Sequence, residues 1–166
     1  MKIRQVQTKD FPQILRIYNQ AVRIGGLTGD EDELSLAQRQ PWLVQHTGEH
    51  YTIFVAEHDD TVLGYLALSP YRYGRSAFYH TAEVSYYIDE AYQRQGIATA
   101  LMEHTLAACE GLQIYTLIAI LLSRNHASIA LLEKFGFNRW ACMPQIARFK
   151  NGIADHLYFG KQLYEN

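Results

Sequence analysis

The segment Gln93-Arg94-Gln95-Gly96-Ile97-Ala98-Thr99-Ala100-Leu101 constrains this chain more than any other. It sets a glycine turn between Val84-Ser85-Tyr86-Tyr87-Ile88, rich in β-branched and aromatic residues, and a stretch where Ile97, Leu101, Met102, Thr105 and Leu106 recur at helical spacing. A strand must therefore feed a helix through Gly96, and the helix is expected to run to about Glu110. The first turn of such a helix leaves backbone N–H groups unpaired and carries roughly half a positive charge, so main chain alone can hold a phosphate there. Glycine at 96 lets that backbone come close to a ligand. The local residues leave two readings open, a pyrophosphate cradle or a plain strand-to-helix bend. The Gly-Lys-Ser/Thr ending of a P-loop and the three-glycine dinucleotide fingerprint are both absent.

The rest of the chain supplies a frame for this turn. Ile3 to Val6 reads as a first strand, followed by a helix capped by Thr8 or Asp10, with Pro12 in its tolerant first turn. Ile14, Leu15, Ile17, Tyr18 and Val22 give that helix an apolar stripe, and Gly25-Gly26 breaks it. A more polar helix is expected from about Ser35 to His46, interrupted at Pro41. Tyr51 to Glu57 and Val62 to Leu68 read as strands joined by a hairpin turn at His58-Asp59-Asp60-Thr61, and a loop of Ser69 to Arg75 leads into the strand Thr81 to Ile88. Leu117 to Leu122 is apolar throughout, as in a strand buried on both faces, and Ser128 to Phe135 reads as a helix stopped by Gly136. The tail from Asn138 to Gln162 suggests two more strands. Strand, helix and strand across residues 81 to 122 require a parallel, right-handed crossover.

At 166 residues, 48% hydrophobic and 19% charged, the sequence suits one α/β domain spanning residues 1 to 166, with a core that needs no staples. A net charge of −2 with no dense Lys/Arg block disfavours a nucleic-acid partner. No charged segment followed by an apolar one opens the chain, and no apolar run nears the roughly 18 residues that span a bilayer, so a cytoplasmic protein with no membrane partner is expected. Seven scattered histidines and two cysteines lack ligand spacing, so no metal site is expected. Cys109 and Cys142 are read as packing residues.

Gln93-x-x-Gly96-x-Ala98 resembles the acetyl-CoA signature of the GNAT superfamily of N-acetyltransferases, and Asn125-His126-Ala127-Ser128-Ile129-Ala130-Leu131-Leu132-Glu133-Lys134-Phe135-Gly136-Phe137 is similar to a segment common in its members. Ile17-Tyr18-Asn19-x-Ala21-Val22, Arg72-x-x-Arg75, Thr81-x-Glu83-x-Ser85 and Asp155 resemble the phosphinothricin N-acetyltransferase subfamily, which includes methionine sulfone and methionine sulfoximine acetylators. The resemblance covers about residues 2 to 163. It implies a single-domain fold with a central, mostly antiparallel sheet containing one parallel, splayed strand pair and flanked by helices, and it implies a homodimer.

The resemblance also assigns roles. Gln93, Arg94, Gln95, Gly96, Ile97, Ala98, Thr99 and Ala100 would form the pyrophosphate turn of acetyl-CoA, with Asn125 and Ser128 beside the cofactor. Tyr86, Tyr87 and Ile88 would pair with the pantetheine amides as a neighbouring strand does. Tyr71, Arg72, Tyr73, Gly74 and Arg75, with Glu83, Val84 and Ser85, match positions facing a small amine substrate. An amine attacks a thioester only after losing its proton, which makes Glu83 the expected general base, while a backbone N–H of Tyr86 or Tyr87 would steady the oxyanion. Arg72 and Arg75 suit a carboxylate or another oxyanion, pointing to an amino acid or analogue. Leu132 stands where the subfamily has His and other members have Tyr to protonate the leaving thiolate. That departure keeps a second reading alive, a non-catalytic acyl-CoA-binding or regulatory domain.

Overall fold

A computed structural model describes residues 1–164. Its elements run β1 (Lys2–Gln5), α1 (Phe11–Ile24), α2 (Leu36–Gln45), β2 (Ile53–His58), β3 (Thr61–Pro70), β4 (Thr81–Ile88), α3 (Ile97–Ala108), β5 (Thr116–Leu122), α4 (His126–Lys134), β6 (Asn138–Phe149) and β7 (Gly152–Gln162). The strands form one seven-stranded sheet in the order β1-β2-β3-β4-β5-β7-β6, in which every pairing is antiparallel except β4 with β5. The last hairpin folds back so that β7, and not β6, lies against β5.

Side chains alternate across the pleat and divide the core in two. Ile53 and Val55 of β2, with Tyr65 and Ala67 of β3, pack on Phe11, Ile14 and Ile17 of α1 and Leu43 of α2. Phe54 and Ala56, with Leu66 and Leu68, face the other way onto Leu101 and Met102 of α3 and Leu132 of α4. The sheet is thus covered on both faces, which explains the unbroken apolar run of β5.

Local chemistry explains the turns. Asp59 and Asp60 both take positive φ, 48° and 59°, as a two-residue hairpin loop that follows strand twist requires. The α4 helix ends in a Schellman motif, with Gly136 at φ 74°, its N–H donating to Glu133 and that of Phe137 to Leu132. Pro41, expected to interrupt α2, sits inside it without ending it. The carbonyl its ring deprives of a partner belongs to Ala37, which like Pro41 is exposed and can turn to water, while buried Leu43 and His46 anchor the turn that follows. A capping box between Ser35 and Gln38 secures the start of this helix.

Candidate active site

The parallel pairing of β4 with β5 holds only at Thr81↔Thr116, Ala82↔Leu117 and Glu83↔Ile118. Beyond Glu83 the two strands part, while the other edge of β4 stays bonded to β3 as far as Ile88. One edge of residues 84 to 88 is therefore free to accept a ligand's hydrogen bonds, and the opening passes through the sheet.

A cavity of about 440 Å³ occupies this opening. Ile17, Gln20 and Ala21 of α1 line it from one face, and the start of α3 with Ala127, Ser128 and Leu131 of α4 from the other. Gly96 caps α3 at φ 80°, two residues after Arg94 at φ 59°. The helical ladder begins only with Ala100 N–H donating to Gly96 at 3.0 Å, so the N–H groups of Ile97, Ala98 and Thr99 precede the first rung, and glycine offers no side chain to cap them. A Cβ built on Gly96 would meet nothing within 4 Å, so a ligand can approach this backbone closely. The bare, partly positive helix end and the open cradle fit a pyrophosphate. The apolar slot leading from it fits a pantetheine arm.

A second cavity, about 640 Å³, adjoins the first; both are lined by Leu27, Ser85, Tyr87, Ile120 and Leu121. Period-two alternation along β4 sorts the residues between them. Glu83, Ser85 and Tyr87 line the second cavity, whereas Val84, Tyr86 and Ile88 line only the first. Glu83 makes no ion pair or side-chain hydrogen bond among the described residues, and burial pushes its carboxyl above its ordinary value. Burial also pushes the Tyr86 phenol up to about 12, with its hydroxyl donating to the Ser128 carbonyl at 3.3 Å.

Most of the residues singled out in the sequence come together here. Gln93, Arg94, Gly96, Ile97, Ala98, Thr99, Asn125 and Ser128 line the first cavity; Gln95 and Ala100 belong to the same turn without lining it. Asn125 also caps α4, its side-chain oxygen accepting from Ser128 N–H at 3.1 Å. Tyr71, Arg72, Tyr73, Gly74 and Arg75 line neither cavity. They form an exposed turn beyond β3, where Arg72 lies over the Tyr71 ring and Tyr73 is 81% exposed. Leu132 lines the first cavity and is almost wholly buried.

Other lining residues were not read as site residues from the sequence. Tyr18, Thr28, Arg39, Trp42, Ser69 and His156 surround the cavity that holds Glu83. The signal for two of them was Arg39-x-x-Trp42, an i, i+3 pair that shares one face of the polar helix. Cys109 is buried within the core as expected, but Cys142, also read as packing, is exposed on β6 because this edge strand has no layer over it.

Residues 11–137 match the acetyltransferase (GNAT) family. The YwnH protein of Bacillus subtilis is 32% identical over 164 residues, covering 98% of this chain and 99% of that one. The L-methionine sulfoximine/L-methionine sulfone acetyltransferase of Pseudomonas aeruginosa is 31% identical over 147 residues, covering 88% and 85%. The crystal structure of a GNAT superfamily phosphinothricin acetyltransferase from Sinorhizobium meliloti, in complex with acetyl-CoA, superposes with a TM-score of 0.92 at 26% identity, covering 99% and 89%. The splayed strand pair, the open glycine cradle and these matches along nearly the whole length agree: the chain belongs to the acetyltransferase (GNAT) family.

Proposed function

We propose that this chain, an acetyl-CoA-dependent N-acetyltransferase of the GNAT type, acetylates the primary amine of a small amino acid or analogue, of the kind represented by phosphinothricin and methionine sulfone, with Glu83 as general base. The observation that carries this reading is the division of β4. Glu83 opens into one cavity, the free strand edge and helix start into another, and the shared wall brings the two together. Acetyl-CoA supplies an activated acyl group as a thioester. The N–H groups of Ile97, Ala98 and Thr99 receive the pyrophosphate, Asn125 and Ser128 flank the arm, and the free edge of residues 84 to 88 bonds the pantetheine amides.

Glu83 does the proton chemistry. Its carboxyl has no partner among the described residues to hold it ionised or neutral, and burial raises its proton affinity in the direction that suits a general base near neutral pH. It takes the ammonium proton, directly or through one water, and frees the lone pair for attack. A backbone N–H of Tyr86 or Tyr87 steadies the negative charge that develops on the carbonyl oxygen. Collapse of this adduct breaks the C–S bond, and CoA leaves as a thiolate that takes its proton from water, since Leu132 has none to give. Neither cysteine lines a cavity, in keeping with direct transfer and no acyl-enzyme. The exposed Trp140, Met143 and Ile146 on β6 support a homodimer as part of this reading.

Release of free thiol from acetyl-CoA, followed across amino acids, sulfones, sulfoximines and polyamines, tests the reading. Turnover is expected with amino-acid-like acceptors and should fall by roughly 100-fold or more in Glu83→Gln. Full activity in that variant would remove Glu83 as the base. A second reading, an acyl-CoA-binding domain without turnover, rests on Leu132 in place of a proton donor. Stabilisation of the fold by acetyl-CoA with no thiol released by any amine would favour it.

A further inference from the structure

Within the proposed N-acetyltransferase reading, we infer that Arg39 is the anchor for the acceptor's carboxylate, and that the acceptors are therefore free α-amino acids in preference to simple amines. Arg39 lines the same cavity as Glu83. Its guanidinium lies between two rings, 3.7 Å from the centroid of Trp42 and 4.4 Å from that of Tyr18. Stacking of this kind fixes the plane of the fork and leaves its N–H donors free for another partner.

That partner is missing among the described residues. Arg4 pairs with Asp10 and Glu57, Arg16 with Asp89 and Arg23 with Glu33; Arg39 is among the arginines with no ion pair among the described residues, and of these it alone lines the cavity of Glu83. Its Nε is buried without a hydrogen bond. The wholly buried Tyr65 hydroxyl lies beside Arg39 within reach of a weak hydrogen bond, but no bond of good geometry joins them and the phenol brings no charge. A guanidinium at a cavity wall whose nearest acceptor is a neutral, poorly aligned phenol gains most from a charged acceptor in the cavity. Arg72 and Arg75, the arginines the sequence suggested for this task, line neither cavity.

The charges of the cavity also match a zwitterion. Glu83 is the only carboxylate among its lining residues and Arg39 the only arginine or lysine. An α-amino acid carries its ammonium and carboxylate on one carbon, so Arg39 would orient the acceptor by the carboxylate and leave the amine for Glu83. A guanidinium holds a carboxylate through two parallel bonds, which fixes orientation as well as affinity.

The test pairs a panel of L-amino acids and L-methionine sulfone, each with its own primary amide, in thiol release from acetyl-CoA and in calorimetric binding. The wild type should prefer acid to amide by roughly 10- to 100-fold, mostly in KM. Arg39→Met should cost the acid roughly 10-fold more than the amide and so erase the preference, and Arg39→Lys should restore part of it. No preference in the wild type, or equal losses on acid and amide in a folded Arg39→Met protein, overturns the inference and leaves Arg39 a packing residue. If no amine releases thiol, the acetyltransferase reading fails by itself, and acid-against-amide binding still decides the role of Arg39.

Discussion

In the proposed mechanism Glu83 concentrates the chemistry at the scale of one residue, because its carboxyl is half-buried with no ion-pair partner among the described residues. Burial raises its affinity for a proton in the folded state above that in the unfolded chain. A group raised in this way adds to stability while protonated, below its unfolded value, and that contribution is lost as pH rises through its folded value. Two outcomes follow from one cause. The acidic limb of kcat/KM against pH should lie above the ordinary glutamate range and disappear in Glu83→Gln. The same variant should melt a few degrees higher than wild type near neutral pH and show no gain at pH 4, as thermal scans at the two pH values would reveal. Had the sequence been the only guide, Glu83 would have been an ordinary strand residue. Its number in β4 was legible through resemblance, but its isolation from cations depends on packing that no local pattern encodes.

Among the elements, the junction of β4 and α3 was the most legible. The alternation of one strand and the periodicity of one helix meet at a single glycine, and the observed bounds Thr81–Ile88 and Ile97–Ala108 fall close to those expected. Gly96→Ala isolates the backbone contribution. With no atom within 4 Å of the added Cβ, the only folding penalty is the left-handed conformation at φ 80°, about 1–2 kcal/mol in urea unfolding. The methyl group would also occupy the cradle, so acetyl-CoA affinity should fall by more than stability does. Equal affinity in variant and wild type would place the pyrophosphate elsewhere. The α2 helix was legible only in part. Its polar sequence gave the span, but Pro41 reads locally as a break. Burial of Leu43 and His46 beyond it, a tertiary effect, decides the outcome. The same helix hid Arg39 and Trp42, whose roles depend on Tyr18 of α1 lying across from them.

Across the whole molecule, function follows from a sheet that is closed everywhere except along one seam. A seven-stranded sheet whose central strands are covered on both faces gives a rigid frame, and the early parting of β4 from β5 opens a passage from the α3 and α4 side to the α1 side. The mixed sheet with a single parallel pair was expected from the resemblance, and the strand–helix–strand unit alone already required that pair. The placement of the acceptor cavity was not legible, because it draws on α1, α2, β4, β5 and the last hairpin at once. The loop of residues 71 to 75 shows the same limit in reverse, since its arginines match a pattern while the chain carries them to the surface. In the proposed mechanism the acetyl group passes from one cavity to the other without resting on the protein. Mass spectrometry of a reaction with acetyl-CoA and an amino acid that releases thiol tests this most directly. Free CoA should appear in step with an equal amount of N-acetylated amino acid, with the protein mass unchanged at every time. An acetylated protein that precedes the product, or thiol release without N-acetylated product, would contradict it.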